Sequence, residues 1–172
     1  DQKDSWQYMQ EMLPLVQDLW RGDVAHEGRF WQFPSATSCP KPLQQTVPMW
    51  VAARSPITFD YAVANDCNIM SWPLTLPFSE AEKYRTQLDL AIAKNGGTYK
   101  GRFAMMRHTS VYENANDRQS ALDATRGVLS QFGNLIMKSG EVRNGFPDPV
   151  PLESLEGNFR VEPKMLEENL VF

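Results

Sequence analysis

The sequence predicts an α/β fold with a parallel sheet, and residues 49–138 carry this prediction. Three short strand-like segments alternate there with three segments of helical periodicity, the order of strands joined by right-handed helical crossovers. At 172 residues, with 42% hydrophobic and 11% aromatic residues, the chain is long and apolar enough to bury a substantial core. The composition therefore argues against a disordered chain.

The region before residue 49 has a different pattern. Residues 4–21 place apolar side chains on one face at helical spacing, which predicts an amphipathic helix that Pro14 should kink or divide. Residues 23–48 lack helical period. Within them, residues 26–33 indicate a short strand or hairpin arm, followed by an irregular, proline-punctuated connection.

The first strand–helix unit begins at Met49. Residues 49–53 form a continuous apolar run, typical of a parallel strand covered on both faces. Ser55 suits the N-cap of the next helix and Pro56 its first helical position.

Two further units follow, at residues 67–95 and 102–138. Strands are predicted at 67–72 and about 102–112, and a capping box formed by Ser79 and Glu82 predicts the start of the helix between them. Helical spacing predicts the last helix at about 117–138, and the glycines and prolines of residues 139–172 indicate a loop-rich tail with at most one short terminal element.

This pattern fits either an open doubly wound sheet or an eight-stranded α/β barrel. A complete barrel takes about 250 residues. With three strand–helix units, the chain is expected to supply part of such a barrel and cannot close it alone.

Net charge, the length of the apolar stretches and the cysteine spacing exclude several classes of function. The net charge is −4 with no basic run, so neither a nucleic acid nor an anionic membrane is expected as a partner. The longest apolar stretches, about five residues, are too short to span a membrane. Cys39 and Cys67 lack metal-ligand spacing; no metal site is predicted, and a reducing cytoplasm is the expected location. No catalytic residue is assigned: His108 suits a hydrogen-bonded wall position or a proton-transfer role.

The junction after the first strand is the main candidate site. Ligands bind at the carboxyl ends of parallel strands in both candidate folds. Ala52 and Ala53 are small enough to admit a planar ligand, the next helix presents a positive dipole end, and Arg54, Ser55 and Thr58 add a permanent cation and two hydroxyls. The alternative is that Ser55 merely starts a helix and Arg54 is a solvated surface residue.

Trp72 is expected at the same rim, because it ends the second predicted strand. Its ring could stack on a planar heterocycle or fill the core. The sequence leaves both interpretations open.

Several segments together resemble the bacterial-luciferase-like, flavin-dependent monooxygenases. The resemblance covers roughly residues 5–138 and is most specific at 42–72. It is carried by Trp20-Arg21-Gly22, His26-Glu27-Gly28-Arg29-Phe30-Trp31-Gln32-Phe33-Pro34, Pro42-Leu43-Gln44-Gln45, Pro48-Met49-Trp50-Val51-Ala52-Ala53-Arg54-Ser55-Pro56, Ile69-Met70-Ser71-Trp72 and His108-Thr109-Ser110-Val111.

The resemblance implies a (β/α)8 barrel of the TIM type. Reduced FMN or, in one branch of the family, the deazaflavin F420 binds at the carboxyl ends of its strands. Segments 49–53, 67–72 and 102–112 would be its fifth, sixth and seventh strands. The residues matching 53–55 and Thr58 would hold the flavin phosphate, and Trp72 would border the isoalloxazine ring.

The implied activity is oxidation of a small organic substrate by O2 through reduced FMN, with a flavin reductase as electron supplier. A non-catalytic flavin-binding protein of the same fold and an F420-dependent oxidoreductase are the alternatives. The family's other five strands and its usual active-site histidine have no counterpart in residues 1–172, so we expect a single, incomplete barrel domain. This interior piece of a monooxygenase should be inactive alone and should associate with itself or with a companion fragment.

Overall fold

The computed structural model describes residues 4–137, 142–147 and 163–169. It divides the chain into two compact units, residues 1–48 and residues 49–172, and each is described by itself. The prediction that both belong to one barrel domain stays a prediction.

The first unit contains a helix and a hairpin. Helix α1 spans Ser5–Arg21, and strands β1 (Val24–Glu27) and β2 (Gln32–Ala36) pair antiparallel. Pro14 lies inside α1, which continues past it, so of the two expected effects, a kink or a division of the helix, division is wrong and the kink stays a prediction. A proline inside a helix removes one backbone hydrogen bond, and the turns on both sides remain.

Glu11 connects α1 to the hairpin. Its carboxylate accepts hydrogen bonds from the backbone amides of Phe30 and Trp31, each at 3.2 Å, and lies 3.0 Å from Nε2 of His26. Burial raises the pKa of the carboxyl group. The hydrogen bonds from His26, Trp31 and Phe30 outweigh it, so the pKa of Glu11 is lowered overall.

This lowered pKa predicts a pH-dependent hairpin. A carboxyl group whose pKa falls on folding contributes stability above its unfolded pKa, about 4.5, and loses it as the pH drops through the folded value. We therefore expect the protection of the Phe30 and Trp31 amides against hydrogen exchange to fall below pH 4.5. Glu11→Gln should already show reduced protection at neutral pH, and Glu27→Gln, an exposed control, should not. Equal protection in wild type and Glu11→Gln at both pH values would contradict this account.

The second unit contains a three-stranded parallel sheet with the order β3–β4–β5. The prediction of an α/β fold with three parallel strands is confirmed, whereas closure into a barrel stays a prediction. In chain order the elements are β3 (Trp50–Ala52), α2 (Pro56–Ala64), β4 (Asn68–Leu74), α3 (Phe78–Lys94), β5 (Phe103–Arg107), α4 (Ala115–Met137), β6 (Val142–Arg143), β7 (Phe146–Pro147) and α5 (Pro163–Asn169).

The core of this unit lies between one face of the sheet and its helices. Val51 and Ile69 are register partners and are buried on that face. The Phe59 ring of α2 is fully buried, 6.3 Å from the Tyr84 ring and 6.2 Å from the Phe103 ring between centroids. Burial of these rings supplies apolar stabilisation and fixes α2 on the sheet.

The opposite face of the sheet is more open. Trp50 is 46% exposed and Met106 51% exposed, and Ala52 is exposed as well. The expectation that the first strand is covered on both faces is therefore wrong. An apolar run alone does not show whether the chain itself provides both covering layers.

Among the element ends that differ from prediction, three are the start of α3 and the carboxyl ends of β4 and β5. Helix α3 begins at Phe78 with Pro77 as N-cap and no side-chain cap, so Ser79 does not form the predicted capping box. Strand β4 continues to Leu74, and β5 ends at Arg107 rather than near residue 112.

The described part of the tail is more regular than predicted. A two-stranded hairpin, β6–β7, turns through Asn144 and Gly145, both with positive φ, and α5 follows. Asn-Gly is a strong hairpin signal, because a type I′ turn needs two positive φ angles. No helix within the described ranges is long and apolar enough to cross a membrane.

Candidate functional site

Two hydrogen bonds of the Ala53 backbone join the end of β3 to β4. The Ala53 amide donates to the Met70 carbonyl at 2.9 Å, and the Ala53 carbonyl accepts a 2.7 Å hydrogen bond from Oγ of the buried Ser71. Ala53 itself is fully buried and Ala52 is exposed. Of these two small residues, only Ala52 therefore presents its side chain to solvent.

A pair of hydroxyl groups lies at the start of α2. Ser55 is the N-cap, as predicted, and Pro56 occupies the first turn. The Ser55 side chain does not cap the helix backbone. Instead, Oγ of Ser55 lies 2.9 Å from Oγ1 of Thr58. The Ser55 carbonyl accepts the amides of Thr58 at 3.0 Å and Phe59 at 3.2 Å. The helix start thus presents two adjacent hydroxyls to solvent-accessible space.

Arg54 and Trp72 lie together on the open face of the sheet. The Arg54 guanidinium carbon is 5.9 Å from the centroid of the Trp72 ring, within the range of a cation–π contact. Trp72 lies inside β4 and not at its end, because the strand continues for two more residues. The predicted site residues therefore form two neighbouring pairs, Arg54 with Trp72 and Ser55 with Thr58.

A groove of about 650 Å³ opens beside this junction. Its lining combines two cations, one carboxylate and two serine hydroxyls with apolar and aromatic side chains. The lining residues are Arg54, Ser55, Leu76, Pro77, Ser79, Glu80, Lys83 and Tyr84. Lys83 pairs with Glu80 at 3.2 Å.

Sequence reasoning found Arg54 and Ser55 but missed the other wall of this groove. That wall is formed by the connection after β4 and the first turns of α3. The sequence contains one partial indication of this wall, because the connection also follows the carboxyl end of a predicted parallel strand, where ligands usually bind.

His108 follows β5 directly. Its amide donates to the Leu74 carbonyl at 3.4 Å, and partial burial lowers the pKa of its imidazole, which favours the neutral ring at pH 7. Its role stays open between a wall residue and a proton-transfer group. Within the described ranges, no group of three or more His, Cys, Asp or Glu residues could hold a metal ion.

Ser71 should be important for the stability of this junction. Ser71→Ala removes the donor to the Ala53 carbonyl and leaves that buried acceptor with fewer partners, so we expect the free energy of unfolding to fall by about 1–3 kcal/mol. Urea unfolding measures this loss. Ser79→Ala removes a hydroxyl from an exposed position and should change stability by less than about 0.5 kcal/mol. Equal stability of Ser71→Ala and wild type would contradict the assigned hydrogen bond.

The family of the chain follows from comparison with known proteins. The family model described as luciferase-like monooxygenase matches residues 1–156. The chain belongs to the luciferase-like monooxygenase family. The resemblance drawn from the sequence is thereby confirmed.

A curated relative from Acinetobacter baylyi is described as a flavin-dependent trigonelline monooxygenase, oxygenase component. It is 35% identical over 172 residues, covering 98% of this chain and 48% of the relative. The luciferase-like chain thus spans about half the length of the curated relative that it matches.

A solved structure shows the same fold. The crystal structure of monooxygenase RslO1 from Streptomyces bottropensis superposes with a TM-score of 0.59 at 23% identity. The similarity covers 73% of this luciferase-like chain and 40% of the other. It supports the α/β architecture seen here.

Proposed function

We propose that this chain provides the flavin-phosphate site of an FMN-dependent monooxygenase that oxidises a small organic substrate with O2. One observation carries the proposal: in a chain of the luciferase-like family, Arg54 and the hydroxyl pair of Ser55 and Thr58 directly follow the carboxyl end of a parallel strand. A helix start, a guanidinium and two hydroxyls are the groups that bind a phosphate.

The residues present fit a flavin. Ser55 and Thr58 bond to each other, so one hydroxyl donates its proton to the other, and the accepting hydroxyl keeps its own proton to donate to a phosphate oxygen. Arg54 is exposed and permanently charged, so it can pair with a dianionic phosphate. The exposed Ala52 leaves room for a flat ring, and the partly buried Trp72 offers an aromatic face beside it.

The chemistry of these side chains gives each of them a role in the proposed site. When bound, the reduced flavin supplies the reaction with O2. Arg54, Ser55 and Thr58 hold its phosphate end, and Trp72 orients the ring and excludes water from one side of it. No residue of the chain is assigned as catalytic base.

A separate reductase is the proposed source of reduced flavin. The Acinetobacter baylyi relative is described as an oxygenase component, which supports such a partner. Cys39 and Cys67 are both free thiols, which suits the reducing cytoplasm in which NAD(P)H-linked reductases work.

A non-catalytic flavin-binding protein is the second candidate. The observation favouring it is the open face of the sheet, where Trp50 and Met106 are each about half exposed. Strands β3 and β5 are the edges of the described three-stranded sheet, and the unpaired backbone groups of edge strands also favour association. We therefore propose self-association or pairing with a companion fragment, which light scattering at low concentration can measure. A folded monomer without flavin affinity would contradict both the association and the binding site.

The experiment that tests the function separates binding from catalysis. Titration with FMN, followed by flavin absorbance and fluorescence, should show saturable binding. Titration with F420 in parallel distinguishes the deazaflavin alternative. Oxygen uptake with FMN, NADH, a flavin reductase and a panel of small organic substrates then distinguishes the monooxygenase from the binder. No binding of either cofactor would overturn the proposal.

A further inference from the structure

The last residue of β4 and the connection that leads from it to α3, together residues 74–77, have an unusual backbone. Leu74 has a φ of +46°, in the left-handed region that apolar L-residues rarely adopt. Such a conformation costs free energy and persists only where neighbouring contacts hold it. The conformation of Leu74 should therefore depend on contacts from neighbouring residues.

Arg107, the last residue of β5, and His108, which follows it, supply these contacts. Arg107 is the register partner of Leu74, opposite a bulge in β4, and its Nη1 donates a 2.9 Å hydrogen bond to the Leu76 carbonyl. The next amide, of His108, donates to the Leu74 carbonyl. A further bond within the connection joins the Leu76 amide to the Pro73 carbonyl at 2.7 Å. The end of β5 thus fixes the connection from outside.

The connection also forms one wall of the groove beside the α2 helix start. Leu76 and Pro77 line this groove together with Arg54 and Ser55. Leu76 lines the groove, and its carbonyl accepts the hydrogen bond from Arg107. The Arg107 guanidinium is therefore bonded to the groove wall, although Arg107 is not among the lining residues.

We propose that Arg107 is a positioning residue for the flavin phosphate: through the Leu76 carbonyl it fixes residues 74–77 as the wall facing Arg54 and Ser55. This inference rests on the proposed function, because it takes the groove beside Arg54 as the phosphate site. Arg107 acts through the connection and does not itself bind the phosphate.

The test compares FMN with riboflavin, which lacks the phosphate. Arg107→Met should raise the dissociation constant of FMN about tenfold, the size expected for loss of a hydrogen bond from a charged donor, and that of riboflavin by less than about threefold. Arg107→Lys keeps one donor and should recover part of the FMN affinity. The matched control is Arg102→Met, which removes an exposed arginine immediately before the same strand and should leave both affinities unchanged.

Distinct outcomes identify which idea fails. Wild-type chain that binds FMN no better than riboflavin overturns the phosphate site itself. Preferential FMN binding that is unchanged in Arg107→Met overturns the positioning role alone. If Arg107→Met does not fold, Arg107→Gln, which keeps a polar side chain but is shorter and uncharged, replaces it. A wild-type measurement is independent of any variant: FMN should slow amide exchange at Leu74 and Leu76 more than riboflavin does, and equal slowing would overturn the proposal.

Discussion

Replacing Phe59 by alanine should lower the free energy of unfolding of the unit formed by residues 49–172 by about 3–5 kcal/mol. The ring is fully buried and contacts the rings of Tyr84 and Phe103, so its removal leaves a cavity between α2, α3 and β5. Whole domains are stable by only about 5–15 kcal/mol, so this loss is a large share. Urea unfolding followed by far-UV circular dichroism measures it.

Leu90 offers a matched control for this variant. It is 65% exposed on α3, so Leu90→Ala removes a large apolar side chain that fills no interior space. We expect a change within about 0.5 kcal/mol. Similar losses for Phe59→Ala and Leu90→Ala would show that the packing of α2 does not depend on the Phe59 ring.

The second large effect concerns ligand affinity. Arg54→Ala should weaken FMN binding about 10- to 100-fold, because a hydrogen bond to a charged group contributes about 1.5–3 kcal/mol and each 1.4 kcal/mol is a factor of ten. Riboflavin carries no phosphate and should lose far less affinity. Fluorescence titration of both ligands against wild type and variant gives the two ratios.

Arg85→Ala controls for the loss of one positive charge. Arg85 lies on α3, pairs with Asp89 at 2.7 Å and does not line the groove. Its removal should leave FMN affinity within about twofold of wild type, since exposed ion pairs contribute little. If Arg54→Ala weakens FMN and riboflavin equally, the assignment of Arg54 to the phosphate is wrong.

The regular elements of the second unit could be predicted because their signals are local. The apolar run at 49–53, followed by Ser55 and Pro56, indicated a strand and then a helix, and the structure has both. Local signals also misled. Glu82 three residues after Ser79 matched a capping box, but Pro77, with its fixed φ, takes the N-cap and the helix starts at Phe78.

What the sequence could not provide depends on tertiary contacts. Strand β4 continues through Pro73, a residue that usually argues against a strand. The left-handed Leu74 carries no sequence signal, because the residues that hold this connection, Arg107 and His108, lie at and just after the end of a strand about 30 residues later. The uncovered face around Trp50 likewise depends on which layers the chain itself supplies.

The candidate site likewise contains residues that local sequence predicts and residues that only tertiary packing brings to it. Arg54, Ser55 and Thr58 follow one strand directly and could be found from the rule that ligands bind at carboxyl ends. Lys83 and Leu76 reach the same groove only through the packing of α3 and the connection before it. Their place could not be inferred from residue spacing.

Calorimetric titration of the wild-type chain with FMN and with riboflavin tests the central claim most directly. The claim is that the junction of β3 and α2 binds the flavin phosphate. It predicts that FMN binds at least about tenfold more tightly than riboflavin, the contribution of one hydrogen bond to a charged group. Equal affinity for the two ligands would contradict it.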